Sequence, residues 1–256
     1  EKMKIAGKNI VITGGASGIG KALAERFHAE GAKGITVADM QEGPLNEVAK
    51  SVNGLAVHCN VAREADIQNV VAKSEEAFGP IDIFVSNAGI ARYGWEETED
   101  DIWQLNWDIH VMAHVYAARA VVKKMIANGG GYLVNTASAA GLLSQVDSAT
   151  YATTKHAAVA FAETLSIRYG DKGICVSVLC PQSVRTAMTA SRLDGVASVD
   201  GVLEPEQLAD CVVDTMDKEE FLILPHPQVR EYIMRKAGDY DRWLKGMRKL
   251  RDAYVK

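Results

Sequence analysis

A tyrosine and a lysine four positions apart are the residues of this chain whose types and spacing best suit proton chemistry. Tyr151 and Lys155 begin a segment of helical period, and their i,i+4 spacing places both side chains on one helix face. A positive charge beside a phenol favours the phenolate and lowers a pKa that is about 10 when unperturbed. We therefore expect Tyr151 to exchange a proton near neutral pH, with Ser138, 13 residues earlier, as a polar neighbour.

A glycine-rich segment follows the first predicted strand. It reads Thr13-Gly14-Gly15-Ala16-Ser17-Gly18-Ile19-Gly20 and opens directly into a predicted helix. Glycines allow a tight turn and close backbone approach, and the free N–H groups at a helix N-terminus bind a pyrophosphate anion. Taken alone, such a segment is also typical of an ordinary strand-to-helix turn.

Asp39 favours the dinucleotide interpretation of that segment. It ends the second predicted strand, 19 residues after the last glycine of the segment, where an acidic side chain hydrogen-bonds the adenosine ribose hydroxyls. The carboxylate would repel the extra phosphate of NADP, and neither Met40 nor Ala16 supplies a compensating cation, although Lys21 and Lys33 stay open for that role. We therefore expect NAD as the cofactor.

Short β-branched runs alternate along the chain with segments of helical period. The predicted strands are 9–13, 35–38, 55–59, 81–86, 131–136, 174–180 and 221–224, and the predicted helices lie near 18–30, 64–78, 99–128, 151–169 and 205–217. This alternation predicts an α/β fold with a doubly wound parallel sheet (Rossmann fold) of about seven strands and helices on both faces. We expect one domain over residues 1–256, with the functional residues at the carboxyl ends of the strands.

Composition and charge narrow the function classes further. Hydrophobic residues make up 48% and charged residues 24%, as in globular proteins, and the net charge of −5 argues against a nucleic-acid partner. The chain lacks an apolar run of membrane-spanning length, so we expect a cytoplasmic protein without a membrane partner. The widely spaced Cys59, Cys175, Cys180 and Cys211 are interpreted as core thiols rather than disulfides.

In the order and spacing of its motifs the sequence resembles the short-chain dehydrogenase/reductase family. The matches cover residues 7 to about 225 and comprise the T-G-x-x-x-G-x-G loop at 13–20, Asn87-Ala88-Gly89, Ser138, the Y-x-x-x-K pair, and residues 181–186. The resemblance implies that Tyr151 is the general acid/base, that Lys155 depresses its pKa and binds the nicotinamide ribose, and that Ser138 holds the substrate oxygen. It further implies a homotetramer or homodimer.

The residues and the resemblance together predict two sets of binding side chains. The predicted cofactor set is Gly14, Ser17, Gly18, Ile19, Gly20, Asp39, Met40, Asn60, Val61, Asn87, Ala88, Gly89, Tyr151, Lys155, Val184 and Thr186. The predicted substrate set is Ser138, Gln145, Tyr151 and Gln182.

Three positions depart from the family pattern. Asn60 stands where the family usually has Asp, and Gln182 stands where it often has Gly, so that a larger side chain projects toward the substrate. His110 falls where the family's active-site Asn helps to hold a water relay, and we interpret His110 as a working catalytic substitute. His110 and His114 also have i,i+4 spacing that suits a metal, but no third ligand is evident and we expect none.

The regions after the sixth predicted strand are expected to shape the substrate. Residues 186–204 are predicted to form a lid, opposite a wall that includes Tyr93 and Val146, and residues 229–256 a helical extension that covers the pocket or packs on another subunit. These surroundings favour a largely apolar secondary alcohol or ketone, while Arg92 and Arg192 leave an acidic substrate open.

The sequence therefore predicts an NAD-dependent alcohol dehydrogenase or ketone reductase. The alternative is a cofactor-binding regulatory or sensor protein of the same fold that has lost catalysis.

Overall fold

Seven parallel strands form a single sheet in the computed structural model, which describes residues 2–255. The strands are β1 (Asn9–Thr13), β2 (Gly34–Asp39), β3 (Leu55–His58), β4 (Ile83–Ser86), β5 (Gly131–Thr136), β6 (Ile174–Leu179) and β7 (Leu222–Ile223). Their order across the sheet is β3-β2-β1-β4-β5-β6-β7, and every pairing is parallel. The doubly wound fold predicted from the sequence is thereby confirmed.

Helices cover both faces of the sheet. They are α1 (Gly18–Ala29), α2 (Glu42–Ser51), α3 (Glu64–Phe78), α4 (Asp100–Trp107), α5 (Ala113–Ala127), α6 (Ala140–Leu143), α7 (Ala149–Tyr169), α8 (Pro205–Lys218), α9 (Gln228–Gly238) and α10 (Tyr240–Tyr254). The helix predicted at 99–128 is two α-helices separated by a π-helical turn, Asp108–Met112. Helices α2 and α6 were not predicted. The ten residues of α2 do carry buried Leu45, Val48 and Ala49 at helical spacing, a signal that the sequence offered, whereas the four residues of α6 are too few to show a period.

The period-two alternation of the central strands builds a separate core on each face of the sheet. Ile10 and Ile12 of β1 pack on one face with Phe27 of α1, and Val11 packs on the other face with Val70 of α3. All of these side chains are buried. The sheet is therefore held rigidly between two apolar layers, and its carboxyl edge is a stable base for a site.

The carboxyl edge carries the residues predicted to function. The strand order reverses between β1 and β4, so the loops that follow these two strands diverge and leave a crevice between them. The loops after β5 and β6 extend the same edge, and α7 begins there at Ala149.

Two segments that follow β6 are expected to shape the substrate site. The predicted lid, 186–204, is irregular apart from a 3-10 turn at Val196–Ser198. The predicted extension, 229–256, consists of α9 and α10 with a break at Asp239, whose side chain caps α10 by accepting from the backbone N–H of Arg242 at 2.9 Å. Glu1 and Lys256, which the domain boundaries include, lie outside the described residues.

None of the helices within residues 2–255 combines the length and the hydropathy that crossing a lipid bilayer requires. All four cysteines are free thiols, and Cys59 and Cys180 are buried.

Candidate active site

The glycine-rich segment is pressed against the loop that follows β4. The hydroxyl of Thr13 accepts hydrogen bonds from the backbone N–H groups of Asn87, at 2.9 Å, and Ala88, at 3.3 Å. Gly14 has φ +64°, and a Cβ there would lie 2.9 Å from the Ala88 Cα. A Cβ at Gly20 would lie 2.0 Å from the Gly14 carbonyl oxygen, so Gly20 serves the packing of α1 on its own loop.

The Asp39 carboxylate ties the end of β2 to the glycine-rich segment. One carboxylate oxygen accepts from the backbone N–H of Ala16 and the other from that of Gln41, both at 3.2 Å. Asp39 therefore holds the backbone at Ala16 and Gln41 in place. This is in addition to the hydrogen bonds with the adenosine ribose that the sequence predicts.

Ser138, Tyr151 and Lys155 lie together where β5 and α7 meet the crevice. Ser148 caps α7 by accepting from the Tyr151 backbone N–H at 3.2 Å, which places Tyr151 in the first turn. The Ser138 hydroxyl accepts from the backbone N–H of Ala140 at 3.1 Å, and the Lys155 ammonium lies 5.5 Å from the centre of the Tyr151 ring. The three side chains predicted to carry the chemistry are thus brought to one place.

Burial, and not the lysine charge, dominates the ionisation of the Tyr151 phenol in this structure. Loss of solvent raises the pKa of Tyr151 to about 12, and Ser138 opposes the rise. Burial also lowers the pKa of Lys155 to about 8. The net direction of the Tyr151 pKa is therefore opposite to the one expected from the sequence, because desolvation penalises the phenolate more than the neighbouring groups favour it.

His110 connects α7 to the loop after β4 through hydrogen bonds. Its Nδ1 lies 2.9 Å from the Thr154 hydroxyl, and its Nε2 lies 3.2 Å from the backbone nitrogen of Ile90 and 3.1 Å from its carbonyl oxygen. Both tautomers satisfy this network. Either Nδ1–H donates to Thr154 while Nε2 accepts from Ile90 N–H, or the Thr154 hydroxyl donates to Nδ1 while Nε2–H donates to the Ile90 carbonyl oxygen.

The π-helical turn carries His110 and is the feature of this region that periodicity did not predict. A π turn adds a residue to a helical turn and occurs frequently at functional sites. The His110 ring meets the Tyr151 ring edge-on, with 5.6 Å between centroids. A Cβ placed on Gly89 would lie 3.7 Å from both His110 Nε2 and Lys155 Nζ, so these two groups flank Gly89.

His110 and His114 are both neutral at ordinary pH. Burial, followed by the Lys155 charge, lowers the pKa of His110 to about 2 and that of His114 to about 3. His114 Nδ1 lies 2.7 Å from the Ser86 hydroxyl. Within residues 2–255 no group of three or more His, Cys, Asp or Glu side chains is arranged to hold a metal ion.

Two adjoining cavities meet at Ser138 and Tyr151. The smaller, of about 370 Å³, runs past the glycine-rich segment and Asp39, and every member of the predicted cofactor set lines it except Gly20. It also contacts side chains outside that set, among them Gln41, Ile109 and Met188. No spacing motif marks these side chains, and only the fold brings them to the crevice.

The larger cavity, of about 990 Å³, is lined by all four members of the predicted substrate set. The Gln182 side-chain oxygen is buried there and has no hydrogen-bond partner among the described residues. Its backbone N–H donates to His226 Nδ1 at 3.1 Å, which holds this part of the wall in place.

The far wall of the larger cavity comes from the C-terminal helices. Trp243, Met247 and Leu250 of α10 line it together with Tyr232 of α9. The sequence predicted a cover from this segment but did not identify its lining residues, because an amphipathic face does not reveal its partner. The predicted lid contributes Val196 and Val199 to the same cavity.

The sequence left open that Arg92 and Arg192 bind an acidic substrate. Neither is placed to bind a substrate anion. Arg192 forms an ion pair with Asp147 and lies over the Tyr93 ring, 4.0 Å from its centroid. Arg92 is exposed and does not line the larger cavity.

Comparison with known proteins identifies relatives for most of the chain. A family model described as short chain dehydrogenase matches residues 8–196. Among curated proteins, "3beta-hydroxysteroid dehydrogenase 2" of Eggerthella lenta is 34% identical over 190 residues, which cover 71% of this chain and 73% of the relative.

Solved structures share most of the architecture. A short-chain dehydrogenase/reductase from Burkholderia phymatum, in complex with NAD, superposes with a TM-score of 0.85 at 27% identity, covering 93% of this chain and 96% of the other. L-Sorbose reductase from Gluconobacter frateurii, complexed with NADPH and L-sorbose, superposes with a TM-score of 0.79 at 32% identity, covering 88% and 95%.

The neutral, buried imidazole of His114 should make the protein less stable in acid. The folded state holds His114 with a pKa of about 3, whereas an unperturbed histidine has a pKa of 6.5, so the unfolded state binds more protons between these values. Stability is therefore retained above pH 6.5 and lost as the pH falls toward 3. The variant His114→Gln should reduce the slope of the unfolding free energy against pH in this window by about 1.4 kcal/mol per pH unit.

Urea unfolding at a series of pH values, followed by circular dichroism, measures that slope independently of the variant's absolute stability. The exposed His28 supplies the matched control, since His28→Gln removes a histidine that is not buried. Identical slopes for His114→Gln and the unchanged protein would contradict the assignment of His114 as a neutral buried group.

Proposed function

The chain belongs to the short-chain dehydrogenase family of oxidoreductases, and from that premise we propose that it uses NAD to interconvert a largely apolar secondary alcohol and its ketone. The observation that carries the proposal is the meeting of two cavities at Ser138 and Tyr151. One cavity offers an anion-binding helix N-terminus and a carboxylate, and the other is walled by apolar and aromatic side chains.

The smaller cavity fits a nicotinamide dinucleotide. The first turn of α1 presents backbone N–H groups beside Gly14 and Gly18, which both line the cavity and have positive φ angles that favour glycine. Tyr151 and Lys155 line the other part of the same cavity. When bound, the cofactor supplies or accepts the hydride.

Asp39 supports NAD over NADP. Its carboxylate lines the cavity, where it would accept hydrogen bonds from ribose hydroxyls and repel an additional phosphate. The relatives of known structure include one bound to NAD and one bound to NADPH, so the preference rests on this side chain.

Tyr151 is the proton-transferring group in this proposal. Because burial keeps its phenol protonated through neutral pH, the side chain is ready to donate a proton to a carbonyl oxygen. In the oxidative direction the same oxygen receives the proton of the alcohol. Ser138 would hold the substrate oxygen beside the phenol, and Lys155, charged below a pH of about 8, would stabilise the phenolate once it forms.

His110 is a positioning residue in this proposal, since it touches Thr154 and Ile90 but does not line either cavity. Thr154 precedes Lys155 on α7, so the His110 bridge holds the Tyr151–Lys155 turn at a set distance from the loop after β4. A neutral imidazole can both donate and accept here, as an amide can.

The proposal also includes a lid, a helical cover and an oligomeric assembly. Residues 186–204 would act as a lid, and residues 229–256 as a helical cover on the single domain 1–256. Exposed apolar side chains on α4 and α7, namely Leu105, Trp107 and Ile167, support a homodimer or homotetramer. A cytoplasmic location is part of the proposal. No observation favours a sensor that has lost catalysis.

Tyr151→Phe deletes the proton-transferring oxygen and leaves the ring in place. We expect kcat to fall by roughly 10²-fold to 10⁴-fold while NADH affinity, measured by fluorescence titration, changes little. Tyr169→Phe, at the other end of α7, is the matched control and should keep full turnover. A Tyr151→Phe enzyme that retained most of its kcat would refute the assigned acid/base.

The cofactor preference is tested at Asp39. We expect the ratio of kcat/KM for NAD to that for NADP to fall roughly tenfold in Asp39→Ala, because the repulsion of the extra phosphate is lost. Asp39→Asn keeps a hydrogen-bond acceptor for Ala16 and should narrow the ratio with less loss of overall affinity. Equal wild-type values for the two cofactors would overturn the NAD assignment.

The role of His110 is tested by comparing two variants across pH. His110→Asn should stay active, whereas His110→Ala should lose roughly tenfold to hundredfold in kcat through misplacement of α7, with cofactor affinity little changed. The profile of kcat against pH should differ from the wild type only in the Ala variant. An unchanged profile and rate in His110→Ala would remove His110 from the mechanism.

A further inference from the structure

The larger cavity has more volume than a small alcohol requires. Its volume of about 990 Å³ is at the upper end of the range for drug-sized ligands, roughly 300–1,000 Å³. Ser138 and Tyr151 line it, and Trp243, Met247 and Leu250 line it from one face of α10. Since these three side chains recur at i, i+4 and i+7, they form one continuous apolar wall.

Three arginines line the same cavity, and two of them are already paired. Arg192 forms its ion pair with Asp147, which also accepts from the Gln145 side chain at 2.6 Å. Arg235 forms an ion pair with Glu231, one helical turn earlier. A ligand anion would have to compete with these carboxylates, so neither arginine is a strong anion site.

Arg242 is the third arginine that lines the cavity. Within residues 2–255 its guanidinium has no carboxylate within ion-pair distance and no hydrogen-bond partner. The acid that lines the cavity beside it, Asp239, is engaged as the cap of α10 through the Arg242 backbone N–H. Arg242 is exposed at the side of the cavity that α10 lines, so its guanidinium donors are free to bind a ligand anion there.

The charge distribution along the chain agrees with an anion at this end. The last 28 residues carry nine basic and four acidic side chains, although the whole chain has a formal charge of −5. Of these basic side chains Arg235 and Arg242 line the cavity, and positive charge beside a binding cleft raises the local concentration of an anionic ligand.

We propose that the substrate is an amphiphile, with the secondary alcohol or ketone at one end, an extended apolar body, and a carboxylate or similar anion at the other end that binds Arg242. This inference rests on the proposed function and deepens it by naming the substrate class. The apolar body would lie along Trp243, Met247 and Leu250, and the reacting carbon beside Tyr151.

A matched series of substrates tests the inference. The probes are straight-chain carboxylic acids of increasing length with a hydroxyl on the penultimate carbon, and the methyl ester of each acid as its neutral counterpart. We expect kcat/KM with NAD to favour the acid over its ester roughly tenfold at chain lengths that reach from Tyr151 to α10. Arg242→Gln should abolish that preference by raising KM for the acids roughly tenfold.

Arg248→Gln is the control, because Arg248 is an exposed arginine of α10 that does not line the cavity. It should keep the preference for the acids. Esters that turn over as well as their acids at every length would overturn the inference, and so would equal losses in Arg242→Gln and Arg248→Gln.

Calorimetric titration of the same acids and esters separates this inference from the proposed function. If none of the probes turned over, the proposed function would fail for this substrate class. Acid binding that weakens roughly tenfold in Arg242→Gln, but not in Arg248→Gln, would still support the anion site. Equal affinity for acid and ester would overturn it.

Discussion

The burial of Lys155 in a narrow gap is the constraint on which the candidate site depends. The lysine is only 4% exposed and lies in the turn of α7 that packs against α6 and the loop after β4. A Cβ on Gly141 would lie 2.5 Å from the Lys155 carbonyl oxygen, and one on Gly89 would lie 3.7 Å from its ammonium. Only glycine at position 141 allows the α7 backbone to approach so closely.

Loss of solvent dominates the ionisation of this region. Burial, followed by the Lys155 charge, lowers the pKa values of His110 and His114, and burial lowers the pKa of Lys155 itself to about 8. Neutral imidazoles can satisfy donors and acceptors on both sides, and His110 does so between Thr154 and Ile90. The region is thus kept free of further positive charge, and Tyr151 is left as a protonated phenol at the junction of the two cavities.

The two cavities are built by different parts of the fold. The cofactor side is built by loops at the carboxyl ends of the strands and follows from the doubly wound topology. The substrate side depends on the segments after β6, where the irregular residues 186–204 and the two C-terminal helices supply most of the wall. Function can therefore vary in that region without disturbing the sheet or the proton-transferring group.

The sequence by itself determined the fold class, the positions of the strands and the residues at their carboxyl ends, because these follow from local periodicity and from ordered motifs. Only the tertiary structure decided the π-helical turn at His110, the direction of the Tyr151 pKa, the pairing of Arg192 with Asp147, and the lining of the larger cavity by α10. Each of these depends on contacts between residues distant in the chain. Spacing along a helix places Lys155 near Tyr151, but the extent to which both lose solvent is set by the packing of α7 against other elements, and desolvation then outweighs the charge of the neighbour.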